Sequence, residues 1–307
     1  MAADRGSGYR PLTGGLHVTL PTGRLSPRSS APSGAPSGAL SGALSGALTA
    51  EAVGTFMLTF AGTATVLAVH QLQKTSSGFT GSGQIAISIA FAFGLIAAVY
   101  AVADLSGAHI NPAITAGLAA VGRFPWRMVP AYVGAQLTGG LLAALVNWAL
   151  FPHLREPLIL GSTQPGPGVV WWRACFTEFV ITLILMVVVM ATAVYQRSPG
   201  GAVESGVAIG LWVGAAIFLA LPISGGSLNP ARTLGPDIVA AKFPYWWIYI
   251  VGPVAGAIAG AALWELVLSK GSKQAALQAA APVSEQRSAT ATRPSVLRRS
   301  PGRTGGR

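Results

Sequence analysis

Apolar residues gather in this 307-residue chain into long runs separated by short polar connections, and six of the runs are long enough to cross a membrane. They are Leu48–His70, Gln84–Ala103, Met128–Phe151, Ala174–Val194, Ser205–Ile223 and Tyr245–Leu268. A hydrocarbon core of roughly 30 Å needs about 20 helical residues. An even number of crossings puts both termini on one side. A seventh run, Pro112–Ala120, has nine residues and would reach about 13 Å as a helix, half a bilayer. It begins inside the tripeptide Asn111-Pro112-Ala113, which recurs as Asn229-Pro230-Ala231. Asn favours the helix N-cap and Pro the first helical position, where its missing N–H costs nothing, so each tripeptide predicts a helix start.

The recurrence extends beyond the tripeptide. Ser106-Gly107-Ala108-His109-Ile110-Asn111-Pro112-Ala113 aligns with Ser224-Gly225-Gly226-Ser227-Leu228-Asn229-Pro230-Ala231 at an offset of 118 residues, and Val133-Gly134 with Val251-Gly252 at the same offset. Glu51 in the first run has a counterpart in Glu178 of the fourth. Three spans per copy is an odd number, so the second copy inserts upside down, the arrangement that puts a site near the midplane. The pattern therefore predicts an all-α membrane protein with six transmembrane helices and two re-entrant half-helices in an inverted repeat.

Re-entrant backbone at membrane depth is tolerated where it is buried in protein or lines a wet cavity. The carbonyls of Gly107, Ala108 and His109, and of Gly225, Gly226 and Ser227, are thus expected to form a ladder of acceptors along a pore. Asn111 and Asn229 would offer amide donors at its centre. Two helix N-termini would add a positive potential there, raising the barrier for cations and protons. Arg232 lies one turn into the second half-helix with no adjacent acid. Intramembrane arginine is expensive and by default functional, here as a lumen-facing donor to polar solutes.

Composition and charge fit this picture. The chain is 51% hydrophobic and only 9% charged. Its net charge of +11 gathers outside the apolar runs, with fifteen basic residues on one face against Lys74, Arg155, Arg173 and Lys242 on the other. The positive-inside rule then puts both tails in the cytoplasm, and the charge is no nucleic-acid signature. Residues 1–47, with an Ala-Pro-Ser-Gly repeat, and the polar basic residues 269–307 are expected to be disordered. They flank a channel domain at 48–268, with halves at about 48–151 and 172–268. Cys175 is the single cysteine, so neither an intrachain disulfide nor a cysteine metal cluster is expected. No nucleophile with a base, metal-ligand spacing or phosphate loop argues for an enzyme. Gly134, Gly140, Gly206, Gly210, Gly214, Gly252, Gly256 and Gly260 are expected to permit close helix packing. Asp104 and His109 before the first half-helix admit a gating role or a structural one.

The doubled Asn-Pro-Ala with Arg232 resembles the aquaporin, or major intrinsic protein, family over residues 48–268. The resemblance implies a six-helix bundle with two half-helices, a homotetramer with one pore per subunit, no cofactor, and Glu51 and Glu178 bracing the re-entrant loops. Counting from the tripeptides, the family's outer filter falls on Phe91, Ile217, Gly226 and Arg232. Water-selective members usually carry His at the position of Ile217 and Thr or Cys at that of Gly226. Glycerol facilitators have two aromatic residues in the filter and Asp after the Arg, where this chain has Phe91 alone and Thr233. The half-apolar filter and the segment Trp247-Ile248-Tyr249-Ile250-Val251-Gly252-Pro253 are more similar to the nodulin-26-like and other solute-permeable branches. The expectation is a passive channel for water and small neutral solutes such as glycerol, urea or undissociated metalloid acids, in a bacterial plasma membrane. A secondary transporter, built from the same kind of repeat, and a strictly water-selective channel remain the alternatives.

Overall fold

The computed structural model describes residues 37–75, 82–195 and 202–270, all helix, turn or irregular backbone. The first half comprises α1 (Ser37–Thr75), α2 (Gly83–Ser106), α3 (Pro112–Ala120) and α4 (Val129–Leu150). After the one-turn α5 (Arg155–Leu158), the second half repeats the series as α6 (Trp171–Val189), α7 (Ala202–Ala220), α8 (Pro230–Ala240) and α9 (Ile248–Leu263). Both α6 and α9 run on into wider π-helical turns, Met190–Val194 and Trp264–Leu268. Among the described residues, five helices are long and apolar enough to cross a bilayer, and the apolar stretch Glu204–Ala220 of α7 is shorter.

The half-helix α3 occupies Pro112–Ala120, and α8 is barely longer. One correction concerns the first helix. Residues 37–47, expected to be disordered, form the opening turns of α1. Their Ser-Gly-Ala-Leu repeat contains enough Ala and Leu to prolong a helix that the apolar run behind it has already nucleated. Ser269 and Lys270, likewise expected to be disordered, continue the last helix, and the other tail residues, 1–36 and 271–307, lie outside the described residues.

Packing follows the repeat. In the first half α1 packs against α2 and α4, and in the second α6 packs against α7 and α9, while α2 and α7 meet across the middle. The half-helices cross over, so that α3 lies on α9 and α8 lies on α4. Each half thus completes the other. Glycine permits these crossings: a Cβ on Gly235 of α8 would fall 2.4 Å from the Gly140 backbone of α4, and one on Gly140 would fall 2.4 Å from the Ala231 carbonyl. Gly117 of α3 similarly abuts the Ala257 backbone of α9. Gly206, Gly210 and Gly214 seat α7 on α2, and Gly252, Gly256 and Gly260 seat α9 on α6. Gly134 departs from the packing expectation, because a Cβ there would meet nothing within 4 Å. It points off the helix-helix contacts that Gly139 and Gly140 make about one and a half turns further on. Large side chains such as Phe93, Leu105, Phe176, Leu211 and Leu266 lie exposed on the outside, a surface suited to lipid and too apolar for water.

Candidate functional site

The two half-helices begin where they meet. Asn111 and Asn229 each cap their own helix, their Oδ1 accepting from the backbone N–H of Ala113 at 2.8 Å and of Ala231 at 3.0 Å. The amides then cross over. Nδ2 of Asn111 donates to the Leu228 carbonyl and Nδ2 of Asn229 to the Ile110 carbonyl, each at 2.8 Å. Sequence reading left both amide groups free for the pore, whereas one N–H of each is committed to the opposite loop. An NH₂ carries two hydrogens, so one donor per Asn remains, and both residues line the central cavity.

The loops before the caps share one conformation. Gly107, Ala108 and Ile110 have φ of 87°, 48° and 56°, and Gly225, Gly226 and Leu228 have 83°, 65° and 56°. Left-handed backbone is unfavourable for Ala, Ile and Leu, so something must hold it. The buried carboxylates do so in matching ways. Glu51 accepts from the N–H of His109 at 2.9 Å and of Ile110 at 2.7 Å, and from the Ser106 hydroxyl at 2.7 Å. Glu178 accepts from the N–H of Ser227 and Leu228 at 2.8 and 2.7 Å, and from the Ser224 hydroxyl at 2.7 Å. A carboxylate offers about four acceptor positions, enough for two backbone donors and a hydroxyl. Tyr132 and Tyr249, neither assigned a bracing role from sequence, add a further matched pair. Their hydroxyls donate to the Ser106 carbonyl at 3.0 Å and the Ser224 carbonyl at 2.7 Å. The tyrosines are 117 residues apart and not 118, so an alignment at fixed offset misses them. Gln136 donates to Glu51 and to the Thr115 hydroxyl, with no counterpart in the second half, where Pro253 stands four residues after Tyr249 as Gln136 does after Tyr132.

A cavity of about 870 Å³ runs from the inner loops to the filter positions. Gly107, Ala108, His109, Asn111, Ser227 and Asn229 line it, and Phe91, Ile217 and Arg232 close one end. Gly225 and Gly226 do not contribute to its wall. A Cβ on Gly226 would lie 3.1 Å from the Ile217 Cα, and one on Gly225 would lie 3.1 Å from the Gln164 backbone, so neither position has room for a side chain. Arg232 is buried, its Nη1 donating to the Gly161 carbonyl at 2.9 Å and its guanidinium standing 4.8 Å over the Phe91 ring. It has no ion pair among the described residues. Phe91 in turn leans on Gly62, where a Cβ would fall 2.0 Å from the ring. Gly62 therefore sets how far Phe91 stands out of the lumen, although the sequence marks it only as a glycine in an apolar run.

At the inner end, His109 pairs with the Thr115 hydroxyl at 3.1 Å and packs against the rings of Phe124 and Tyr132. Exposed Asp104 lies at the mouth with Arg123. Arg123 donates to Glu265 and to the Tyr195 hydroxyl, each at 2.6 Å. The Glu265 carboxylate bound to it raises its pKa above the ordinary arginine value. Among the described residues no three His, Cys, Asp or Glu side chains gather as a metal site would require.

Residues 40–264 match the family model described as major intrinsic protein. The chain is 42% identical to Aquaporin NIP1-3 of Oryza sativa subsp. japonica over 71% of its own length and 72% of that protein's. It is 38% identical to Aquaporin AqpM of Methanothermobacter marburgensis over 72% of its own length and 96% of that protein's. Its fold is similar to that of the aquaglyceroporin from Plasmodium falciparum, with a TM-score of 0.66 at 23% identity, covering 73% of this chain and 97% of that one.

Proposed function

The chain belongs to the major intrinsic protein family, and from that premise we propose that it is a passive pore for water and small neutral solutes that rejects protons and ions. It is a membrane channel and not an enzyme. The observation that carries the finer reading is the meeting of two helix N-termini at Asn111 and Asn229 in the wall of one cavity. The positive ends of two helices converge there, and an entering cation loses hydration without gaining a negative partner. A water that accepts from the remaining Asn N–H groups is held by its oxygen, which breaks the hydrogen-bonded chain a proton would follow.

Phe91, Ile217, Gly226 and Arg232 are proposed as the filter, with Gly226 acting by bringing no side chain. Arg232 and the loop carbonyls supply hydrogen bonds, while Phe91 and Ile217 supply an apolar wall for the carbon side of a polyol. The relatives from rice and from Methanothermobacter marburgensis are aquaporins by name and support water passage, while solute passage rests on the half-apolar filter. Glycerol or urea is the substrate class the filter fits. Six crossings, counting α7 with the five longer helices, with both termini cytoplasmic and four copies per assembly, complete the proposal. The reported relatives come from a plant and an archaeon and lend no support to a bacterial source.

Osmotic shock of proteoliposomes, with sucrose and then glycerol, tests the reading by light scattering. Fast water efflux and glycerol entry that rises linearly with concentration are expected. Entry that saturates or follows an ion gradient would indicate a carrier, and flux no greater than that of bare lipid would contradict the channel reading.

A further inference from the structure

Three consecutive residues between α5 and α6 each bind the second half-helix. The Gly161 carbonyl accepts from Arg232 at 2.9 Å, the Ser162 hydroxyl donates to Asp237 Oδ1 at 2.6 Å, and the Thr163 hydroxyl pairs with that of Thr233. Thr233 also pairs with Ser227, which donates to the Asn229 carbonyl. One strip of loop is thus tied to α8 at the filter arginine, at the residue after it and one turn further along.

This strip does not hold its shape unaided. Ile159, Leu160 and Gly161 have φ of 47°, 51° and 80°, and left-handed backbone is costly for Ile and Leu. Gly161 is also wedged against α1, where a Cβ would lie 2.9 Å from the Thr63 carbonyl. Beyond Gly161 the strip is held by Thr163 on Thr233 and by Ser162, whose hydroxyl stands 3.4 Å from the Thr233 carbonyl and bonds Asp237. The Asp237 side chain is fully buried, with Ser162 as the partner of one oxygen and none among the described residues for the other. A buried carboxylate with a single hydroxyl partner is expensive, so a cap or a packing residue is a poor account of it.

The consequence falls on Arg232. Its only hydrogen-bond acceptor among the described residues is the Gly161 carbonyl, and its Nε–H has none. Phe91 packs against one face of the guanidinium, and the open side is the cavity. If the Gly161 carbonyl shifts, the side chain has one direction in which to move, into the lumen.

We propose that Asp237 and Ser162 are positioning residues for the filter: by fixing the strip 159–163 they fix the Gly161 carbonyl, and through it the lumen width beside Arg232. The inference rests on the channel reading above and names two residues that set its size limit. A supporting shell of this kind decides whether a polar group stands in place or about 1 Å away.

The test compares Ser162→Ala and Asp237→Ala with Asp237→Asn, which keeps an acceptor oxygen for Ser162. In proteoliposomes the two alanine variants are expected to lose about fivefold in glycerol permeability and less than about twofold in water permeability, while Asp237→Asn stays within about twofold of wild type for both. Cryo-electron microscopy of wild type, Ser162→Ala and Asp237→Asn reads the placement directly, whether or not the protein conducts. The Arg232–Gly161 bond is expected to be lost in Ser162→Ala and kept in Asp237→Asn. An unchanged bond and an unchanged glycerol-to-water ratio in Ser162→Ala would overturn the positioning role. A displaced Arg232 in a protein whose wild type conducts nothing would uphold the positioning role and sink the channel reading alone.

Discussion

The Asn111 side-chain amide stands 2.8 Å from the Leu228 carbonyl oxygen, 117 residues away. Asn229 returns the contact to Ile110 at the same distance. The two copies of the repeat are therefore joined at the point where their half-helices start. Each Asn carries three duties, capping its own helix, satisfying a strained carbonyl in the other copy and presenting one N–H to the cavity. Asn is suited to all three because its amide holds an acceptor and two donors on one short stem.

Asn111→Asp separates these duties. The carboxylate still caps Ala113 and is favoured by the helix ends, but it donates nothing to Leu228 and puts a negative charge in the lumen. A cation leak absent from the wild type is expected, read as sodium-driven dissipation of a membrane potential in vesicles. A tight Asn111→Asp membrane would show that the barrier lies elsewhere.

Glu178→Gln replaces one acceptor oxygen with a donor facing the Ser227 or Leu228 N–H. Leaving one such buried group unsatisfied costs about 1–3 kcal/mol, so the thermal transition in detergent is expected to fall. Ser224→Ala leaves both backbone donors to Glu178 served and removes, besides the hydroxyl, only the long 3.3 Å bond from the Gly226 N–H, so it is expected to cost less.

How much of this was legible in the chain depends on range. The half-helix starts at Pro112 and Pro230 follow from local capping chemistry, and the pairing of Glu51 with Glu178 follows from a repeated pattern. The latch of Ser162 on Asp237 has no such signature, because it joins a loop to a helix 75 residues away through one hydroxyl. Gly62 was illegible for a related reason. Its meaning lies in the Phe91 ring that fills the space above it, and periodicity shows which face of a helix is apolar without saying what stands opposite. Gly134 erred the other way, resembling its neighbours in spacing while facing open space.

That contrast among glycines is measurable. Gly134→Ala should be neutral or stabilising by up to about 1 kcal/mol, since Ala is the better helix former and nothing obstructs it. Gly235→Ala should cost about 1–3 kcal/mol, because the crossing of α8 on α4 must open to admit the methyl group. Equal melting temperatures for the two variants would contradict the crossing geometry.

Gly62→Ala should act on transport more than on folding. The added methyl would displace the Phe91 ring toward Ile217 and Arg232, so glycerol permeability is expected to fall while water permeability is largely kept. An unchanged glycerol-to-water ratio would show that the ring finds room elsewhere.

On the proposed reading, neutral molecules pass the paired Asn residues while charge does not. The most direct measurement records water efflux and proton entry in the same proteoliposomes, by light scattering and an enclosed pH-sensitive dye, under matched osmotic and pH gradients. Water permeability far above that of bare lipid is expected, with proton entry indistinguishable from bare lipid. Proton entry that rises with protein content alongside water would contradict this reading.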